Sequence, residues 1–511
     1  MKKISSLLSV CLVSVALTAQ NTYDVMRLSE SDVVGTAKYV GMGGAMSALG
    51  ADISVISSNP AGIGLYRSSD VAFSFALNGT KNSGTFSGVT TNSTKFSAAV
   101  NNLGIVFANN WDDGSLKYLN FAVNYRRSNS FANNLEIAGS IIDGGNIFSQ
   151  QYALRDYHAM SGSYAGWNDY YSLNYPWLGL MASQGGLVDD NNNLYYAPHE
   201  RNTAYTGLAP DRMHYFSREK GGVDDVDINI SCNIDDRLYL GATFTTSNVD
   251  YTRYSEYLEH NDVYDFYSIQ NRYNVSGNGF GIKLGAIVRP FENSPFRLGA
   301  AIHTPVYYSL TDRVSAAIIG SDGMMYDTRD LDAYGDDLFV DYEVTTPWHF
   351  NLSAAYTFGS FAAIDAEYEY VDCSGTKIKY ADGDDIDALN EDIEANMEGQ
   401  HIFKVGALFN LDPKFSLRCG YNHITAPYKK DAFKYMTMYH DTSTEFTNKY
   451  SADIITLGTG YQGDIFYFDV AYKLAMQKSE FYNYYDLDYV NPVADVKTDK
   501  HSLVMTLGCR F

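Results

Sequence analysis

From Tyr66 to the C-terminus, apolar residues alternate with polar or small ones in blocks of about ten, the length a tilted strand needs to cross the hydrocarbon core of a bilayer. In Asp464–Gln477, Phe466, Phe468, Val470, Tyr472, Leu474 and Met476 share one face, while Tyr467, Asp469, Ala471 and Lys473 share the other. Lys414–His423 sets Phe415, Leu417, Cys419 and Tyr421 against Ser416, Arg418, Gly420 and Asn422. Phe361–Asp372 sets Ile364, Ala366, Tyr368 and Tyr370 against Asp365, Glu367 and Glu369. A dry sandwich core would have to bury those charges, whereas a water-filled lumen lets neighbouring strands pair them. The pattern therefore predicts an all-β, transmembrane antiparallel barrel.

Fourteen blocks are expected to be strands: 70–79, 94–108, 116–126, 223–233, 237–250, 265–288, 296–314, 338–358, 361–372, 401–411, 414–424, 451–462, 464–477 and 500–511. The links between them alternate in length, as barrels with short turns at one end and long loops at the other require. Short links fall at Asn109–Ser115, Ile234–Asp236, Pro290–Pro295, Gly359–Ser360, Asp412–Pro413 and Gly463, with longer ones between. The largest insertion is 127–222.

Both ends of the chain fit a secreted barrel. Met1-Lys2-Lys3, the apolar run from Ile4 and the small-residue end at Ala19 read as a signal peptide, residues 1–19. The last strand carries Leu503, Met505, Leu507, Cys509 and a terminal Phe511, a pattern that resembles the signal read by the outer-membrane barrel assembly machinery. Forty-three Tyr and 27 Phe suit aromatic girdles at a membrane surface. By the same alternation Cys232, Cys419 and Cys509 fall on the apolar face of strands that are not neighbours, as small hydrophobes rather than disulfide partners.

The net charge of -23, which loss of Lys2 and Lys3 takes to -25, argues against a nucleic-acid partner. Eight carboxylates cluster in 381–400 and eight in 321–343. Solvated loops account for them, and divalent cations bridging anionic lipid headgroups are the sharper alternative. No cofactor, metal site or enzymatic motif is expected. Gly41-Met42-Gly43 has Met46 where a dinucleotide fingerprint needs glycine, and Asp189-x-Asn191-x-Asn193 has Leu194 where a calcium loop does. His158 near Asp156 and Ser161 reads as ordinary loop chemistry.

The insertion 127–222 carries more apolar surface than a loop in water normally exposes, including Phe148, Trp167, Trp177 and Leu180. It either folds on itself as a cap or lines a groove for an apolar ligand. Arg155, Arg201, Arg212 and Arg218 in the same loop could meet a ligand carboxylate; nothing in the sequence picks one of them, and Arg155 stands as the candidate contact.

The stretch before the first strand is rich in glycine and alanine: Gly41-Met42-Gly43-Gly44-Ala45, then Ala51-Asp52, then Asn59-Pro60-Ala61-Gly62. Small residues suit close packing against surrounding backbone, and Asn-Pro fixes a turn. In order and position these motifs resemble the N-terminal hatch of the FadL/TodX family of outer-membrane transporters for hydrophobic compounds, in its Bacteroidetes-type members. The resemblance implies a hatch over residues 20–69, with Gly43, Gly44, Asn59, Pro60, Ala61 and Gly62 as gating or structural residues, and a barrel with external loops over 70–511. It implies a bacterial outer-membrane location with both termini periplasmic, in contact with membrane lipid and lipopolysaccharide. The implied partner is a hydrophobic small molecule, a fatty acid or hydrocarbon, captured in an external groove and released through a lateral opening in the wall. The alternative is a barrel that docks secreted proteins.

Overall fold

A computed structural model of the chain describes residues 22–30, 32–143, 146–160, 176–189, 191–196, 209–330, 337–434, 440–485 and 491–511. The signal peptide, Ser161, Trp167 and Arg201 lie outside the described residues. In chain order the strands are Asp70–Phe86 (β1), Val89–Asp113 (β2), Leu116–Ser130 (β3), Asn133–Ser140 (β4), Ile142–Asp143 (β5), Asn146–Ile147 (β6), Arg212–Ile234 (β7), Leu238–His260 (β8) and Asp265–Val288 (β9). They continue as Arg297–His303 (β10), Tyr307–Ile319 (β11), Met325–Asp327 (β12), Leu338–Thr345 (β13), His349–Phe358 (β14), Ala362–Asp372 (β15) and Lys377–Tyr380 (β16). The last five are Gly399–Asn410 (β17), Phe415–Ile424 (β18), Phe446–Gln462 (β19), Phe466–Tyr482 (β20) and Val493–Arg510 (β21).

Each wall strand pairs antiparallel with the next, and β21 returns to β1 from Asp70↔Arg510 to Thr85↔Asp495, so the sheet closes as a barrel of fourteen staves. Four staves are built from two strands each: β3 with β4, β10 with β11, β13 with β14, and β15 with β16. The expected strands 296–314 and 338–358 are thus interrupted, at 304–306 and 346–348. Pro305 and Pro347 sit in these breaks, where a residue without an N–H cannot continue the ladder. The breaks face each other, and Val306 N donates to Thr346 Oγ1 at 2.8 Å.

Two further boundaries differ from the sequence reading. The first two strands extend well beyond 79 and 94 and meet in a tight turn at Ser87-Gly88, both with positive φ. These extensions are rich in Thr, Ser, Asn and Gly, so no apolar alternation marks them. The insertion is narrower than 127–222, because β4 and the first half of β7 pair with each other. What is left outside the wall packs as a cap, with α3 (Gln151–Met160) against α4 (Trp177–Gln184).

The alternation itself sorts as expected. Phe466, Phe468 and Tyr472 point outward and are exposed, while Tyr467, Asp469, Ala471 and Lys473 are buried on the inside. An apolar belt surrounds the barrel: Phe73 and Leu77, Ile228 and Ile230, Leu352, Leu457 and Leu507 all belong to it. Cys419 is exposed on this outer face, and the four described cysteines are free.

Candidate functional site: the filled lumen and the break in its wall

The inside of the barrel is occupied by the chain's own N-terminal segment, which corrects the expectation that the inward charges face water. Asp365 is fully buried and Glu367 is 4% exposed. Each carboxylate grips two successive backbone N–H groups of the segment. Glu367 Oε1 accepts from Met46 N and Ser47 N at 2.7 and 2.6 Å, and Asp365 Oδ2 accepts from Ala48 N and Leu49 N at 3.1 and 2.8 Å. Lys404 sits 3.0 Å from Glu369 and 3.8 Å from Glu367, which offsets part of the buried charge.

The segment has its own internal fold. Thr36 caps the short helix α2 (Ala37–Gly41), and its hydroxyl donates to the Asp52 carboxylate at 2.8–2.9 Å. Asp52 in turn accepts from Ser54 N, starting a 3-10 turn over Ile53–Ser57. Asn59 starts the next one, Pro60–Leu65, by accepting from Ala61 N at 3.2 Å. Proline at the first position costs no hydrogen bond there.

Two seats in the wall receive this fold. At the first, Asn59-Pro60 enters a socket made by Gly241, Gly285 and Gly299 on adjacent staves. A Cβ at Gly285 would overlap Asn59 Oδ1, and one at Gly241 would overlap the Pro60 carbonyl. Asn59 Nδ2 donates to Ala286 O at 3.3 Å and Ser231 Oγ to Pro60 O at 2.8 Å. Ala61 and Gly62 are fully covered beside it. At the second, Gly41–Gly43 lie backbone to backbone on Gly406, Gly420 and Gly458, with Asn422 Nδ2 donating to Gly43 O at 2.8 Å. Gly43 and Gly44 have φ of 67° and 75°, a conformation costly for residues with a Cβ. The structure thus places all six residues singled out in the glycine-rich stretch in contact with wall or segment.

Above the segment the lumen is filled by apolar contacts. Helix α1 (Thr22–Ser29) inserts Val25 and Met26 into a buried cluster with Trp177 and Leu180 of the cap and Phe131, Val223 and Tyr251 of the wall region. Tyr23 stacks on Tyr428 with ring centroids 5.2 Å apart. Phe148 belongs to a separate cluster, packing edge-on to Phe86 at 6.2 Å. Arg155 pairs with the adjacent Asp156 at 3.1 Å and lies over the Tyr152 ring. Arg212 pairs with Asp262, and Arg218 lies over Phe216. Trp177 and Leu180 are therefore together, whereas Phe148 and Arg155 are elsewhere in the cap. His158 Nδ1 is 3.0 Å from Asn192 Oδ1, and the Asp189 carboxylate accepts the N–H groups of Asn191 and Asn193 in its own loop. Among the described residues no group of three metal-ligating side chains gathers.

The wall is incomplete between β2 and β3. β2 pairs with β1 from Val89 to Val106, but its ladder with β3 stops at Asn102↔Arg126, leaving residues 89–101 without that backbone partner. The cause is local. β3 shifts register between Arg127 and Asn129, ends at Ser130, and continues as β4 leaning across the inner faces of β1 and β2, where Ile137 takes the space beside Gly84. Only side-chain bonds cross here, such as Ser93 Oγ to Asn134 O at 2.7 Å. Phe131 lies at the bend, in contact with Tyr251 and the α1 cluster. At the foot of the break Arg126 pairs with Asp225 and Asp227, and Ile53 of the segment abuts Gly104.

The glycine sockets and the paired carboxylates were missed in the sequence, although a signal for them exists. A glycine inside a strand marks close approach of another backbone, and Gly241, Gly285, Gly299, Gly406, Gly420 and Gly458 all sit at strand-interior positions. Phe511, the residue of the C-terminal signal, exchanges two backbone hydrogen bonds of 3.0 Å with Ser69 and leaves its side chain exposed.

No protein-family model and no curated protein matches the sequence. Solved structures do. A Pseudomonas aeruginosa FadL homologue superposes with a TM-score of 0.51 at 11% identity, over 94% of this chain and 99% of that one. The P. putida toluene transporter TodX superposes with a TM-score of 0.51 at 12% identity over the same shares. With closure, stave number and near-complete coverage in agreement, the chain has the fold of the FadL- and TodX-type barrels.

Proposed function

We propose that the protein is a bacterial outer-membrane transporter of hydrophobic compounds, in which residues 20–69 form a hatch. The observation that carries the reading is the buried apolar cluster that runs from Trp177 and Leu180 in the cap, through Val25 and Met26 of α1, to Phe131 at the break between β2 and β3. Below it the hatch seals the lumen, so the open way out for an apolar molecule is sideways, into lipid. The exposed apolar belt supports a membrane setting, since in water such a continuous surface would drive aggregation.

In this account the cap end faces the cell exterior and the turn end, with both termini, faces the periplasm. An apolar solute, a hydrocarbon or a long-chain fatty acid, enters beneath the cap and displaces the side chains of α1, exchanging one set of apolar contacts for another. It then leaves past Phe131 through the break, while Asn59, Pro60 and the Gly43–Gly44 turn keep the hatch seated. Phe511 serves membrane assembly. The chain acts as a channel and performs no covalent chemistry.

Uptake of radiolabelled toluene and oleate by a deletion strain, with and without the gene restored, tests this. Mass spectrometry of organic extracts of the purified protein accompanies it. Restored uptake of either compound, or apolar molecules retained through mild detergent, supports transport. Uptake equal to the deletion strain with no retained lipid would move the assignment to the docking of secreted proteins.

A further inference from the structure

At the turn end, beneath α2, the barrel holds a cavity of about 750 Å³ whose lining is unlike the apolar region above. Lys38, Arg67, Lys414, Arg418 and Arg510 reach it, against the two carboxylates Asp412 and Asp469. Those carboxylates are engaged. Asp469 accepts from Arg418 Nη1 at 2.6 Å, and Asp412 accepts the N–H groups of Lys414 and Phe415 in its own turn. Arg67 pairs with Asp236.

Asp52 and Asp70 act on Lys38 and Arg510 only from beyond ion-pairing distance. Lys38 Nζ donates to the Ala51 carbonyl at 3.0 Å, and Arg510 lies over the Tyr467 ring, 5.0 Å from its centroid. Among the described residues neither these two nor Lys414 has a carboxylate at ion-pairing distance. Arg418, 7% exposed, leaves Nε without an acceptor among the described residues. Clustered cations facing one cavity repel one another, and an oxyanion among them supplies both charge and acceptor atoms.

We propose that this cavity is an oxyanion site beneath the hatch, formed by Lys38, Lys414, Arg510 and Arg418, which takes a free carboxylate or phosphate from the turn end. Lys38 belongs to α2, whereas Arg510 and Arg418 belong to the wall, so a bound anion would tie the hatch to the barrel. The inference goes beyond the transport reading, because the solute leaves above the hatch and this anion reaches the barrel from below it.

The test is calorimetric titration of the purified protein in non-ionic detergent with octanoate, octanol and inorganic phosphate. The wild type is compared with Lys38→Gln/Lys414→Gln, whose folding is checked by its heat-dependent gel migration. Octanoate binding that weakens at least tenfold in the variant, with octanol unaffected, supports the proposal and identifies a carboxylate ligand. Phosphate that binds alone and displaces octanoate also supports the site and identifies a free oxyanion. If octanoate and octanol bind alike, if the variant binds as the wild type does, or if no anion binds, the proposal is overturned. Toluene uptake by cells carrying the wild-type protein, set beside anion binding by that same protein, separates the outcomes. Restored uptake with no anion binding removes the site and leaves transport standing, whereas bound anion in a protein that restores no uptake keeps the site and removes transport.

Discussion

The lower and upper halves of the lumen are filled by the same stretch of chain but held by different forces. Below, residues 36–66 are fixed to the wall by directional bonds: the carboxylates of Asp365 and Glu367 on four backbone N–H groups, and the glycine sockets around Asn59-Pro60 and Gly41–Gly43. Above, α1 is held by Val25, Met26 and Tyr23 in an apolar and aromatic cluster. Directional bonds specify one position and lose energy on any shift. Apolar contacts are nearly indifferent to which apolar partner supplies them. The difference teaches which half an apolar solute can replace: it can substitute for Val25 and Met26, but it has no atoms that satisfy Asp365 or Glu367.

Breaking the lower half at its socket should have the largest effect. Gly285→Val places methyl groups where Asn59 Oδ1 lies, against backbone that cannot retreat. The N-terminal segment is expected to unseat, with a rise in ion conductance of the barrel in planar bilayers and sensitivity of cells to bulky antibiotics. The control Gly375→Ser, in open space between β15 and β16, should leave both unchanged.

In the upper half, Trp177→Ala removes a 4% exposed ring from the junction of cap and α1. Truncations of this kind cost about 3–5 kcal/mol. Faster amide exchange in α1 and α4, with Met46–Leu49 unchanged, is the expected result, and loss of protection in both halves together would erase the distinction between them.

Asp365→Asn with Glu367→Gln keeps shape and removes charge from the bonds to Met46–Leu49. Bonds to charged acceptors contribute about 1.5–3 kcal/mol against about 1 kcal/mol for neutral ones. A loosening of about 2–3 kcal/mol, seen as amide exchange roughly 100-fold faster at Met46–Leu49, is the outcome expected, with α1 untouched.

The smallest effect is a pH dependence confined to the cap end. His440 packs edge-on against Trp177 with ring centroids 4.9 Å apart, and burial lowers its pKa from 6.5 to about 4. Below 6.5 the unfolded imidazole takes up a proton that the buried one refuses. Its contribution is therefore complete above pH 6.5 and is lost as pH falls towards 4. At pH 5.5 the cost is about 1.4 kcal/mol. Exchange in the cap should rise about tenfold on that acidification, and His440→Phe should abolish the change.

Much of the wall was legible because a strand's two-residue period survives in any sequence that has lipid on one side and polar contacts on the other. Asp464–Gln477 shows Phe466, Phe468 and Tyr472 outward and Tyr467, Asp469, Ala471 and Lys473 inward, as expected. The period vanishes where the two environments converge, which is why the polar hairpin 80–94 went unread and why Pro305 and Pro347 interrupt staves that looked continuous. The motif Asn59-Pro60-Ala61 announced a turn, but its socket consists of glycines on three consecutive staves far from it in sequence. Asp365 and Glu367 were read as facing water because alternation reports which side a residue faces and says nothing of what fills the space there. The apolar residues of the insertion divide between two clusters, Trp177 and Leu180 in one and Phe148 in the other, a partition set by tertiary packing that loop composition does not encode.

Hydrogen exchange of the purified protein with and without an apolar ligand addresses the two halves in one experiment. Saturating toluene or oleate should speed amide exchange across Val25–Ser29 as α1 yields its contacts, while Met46–Leu49 and Ala61–Gly64 stay protected. Loss of protection at Met46–Leu49 with α1 unchanged would contradict the account, since the solute would then be passing through the floor of the barrel instead of the break in its side.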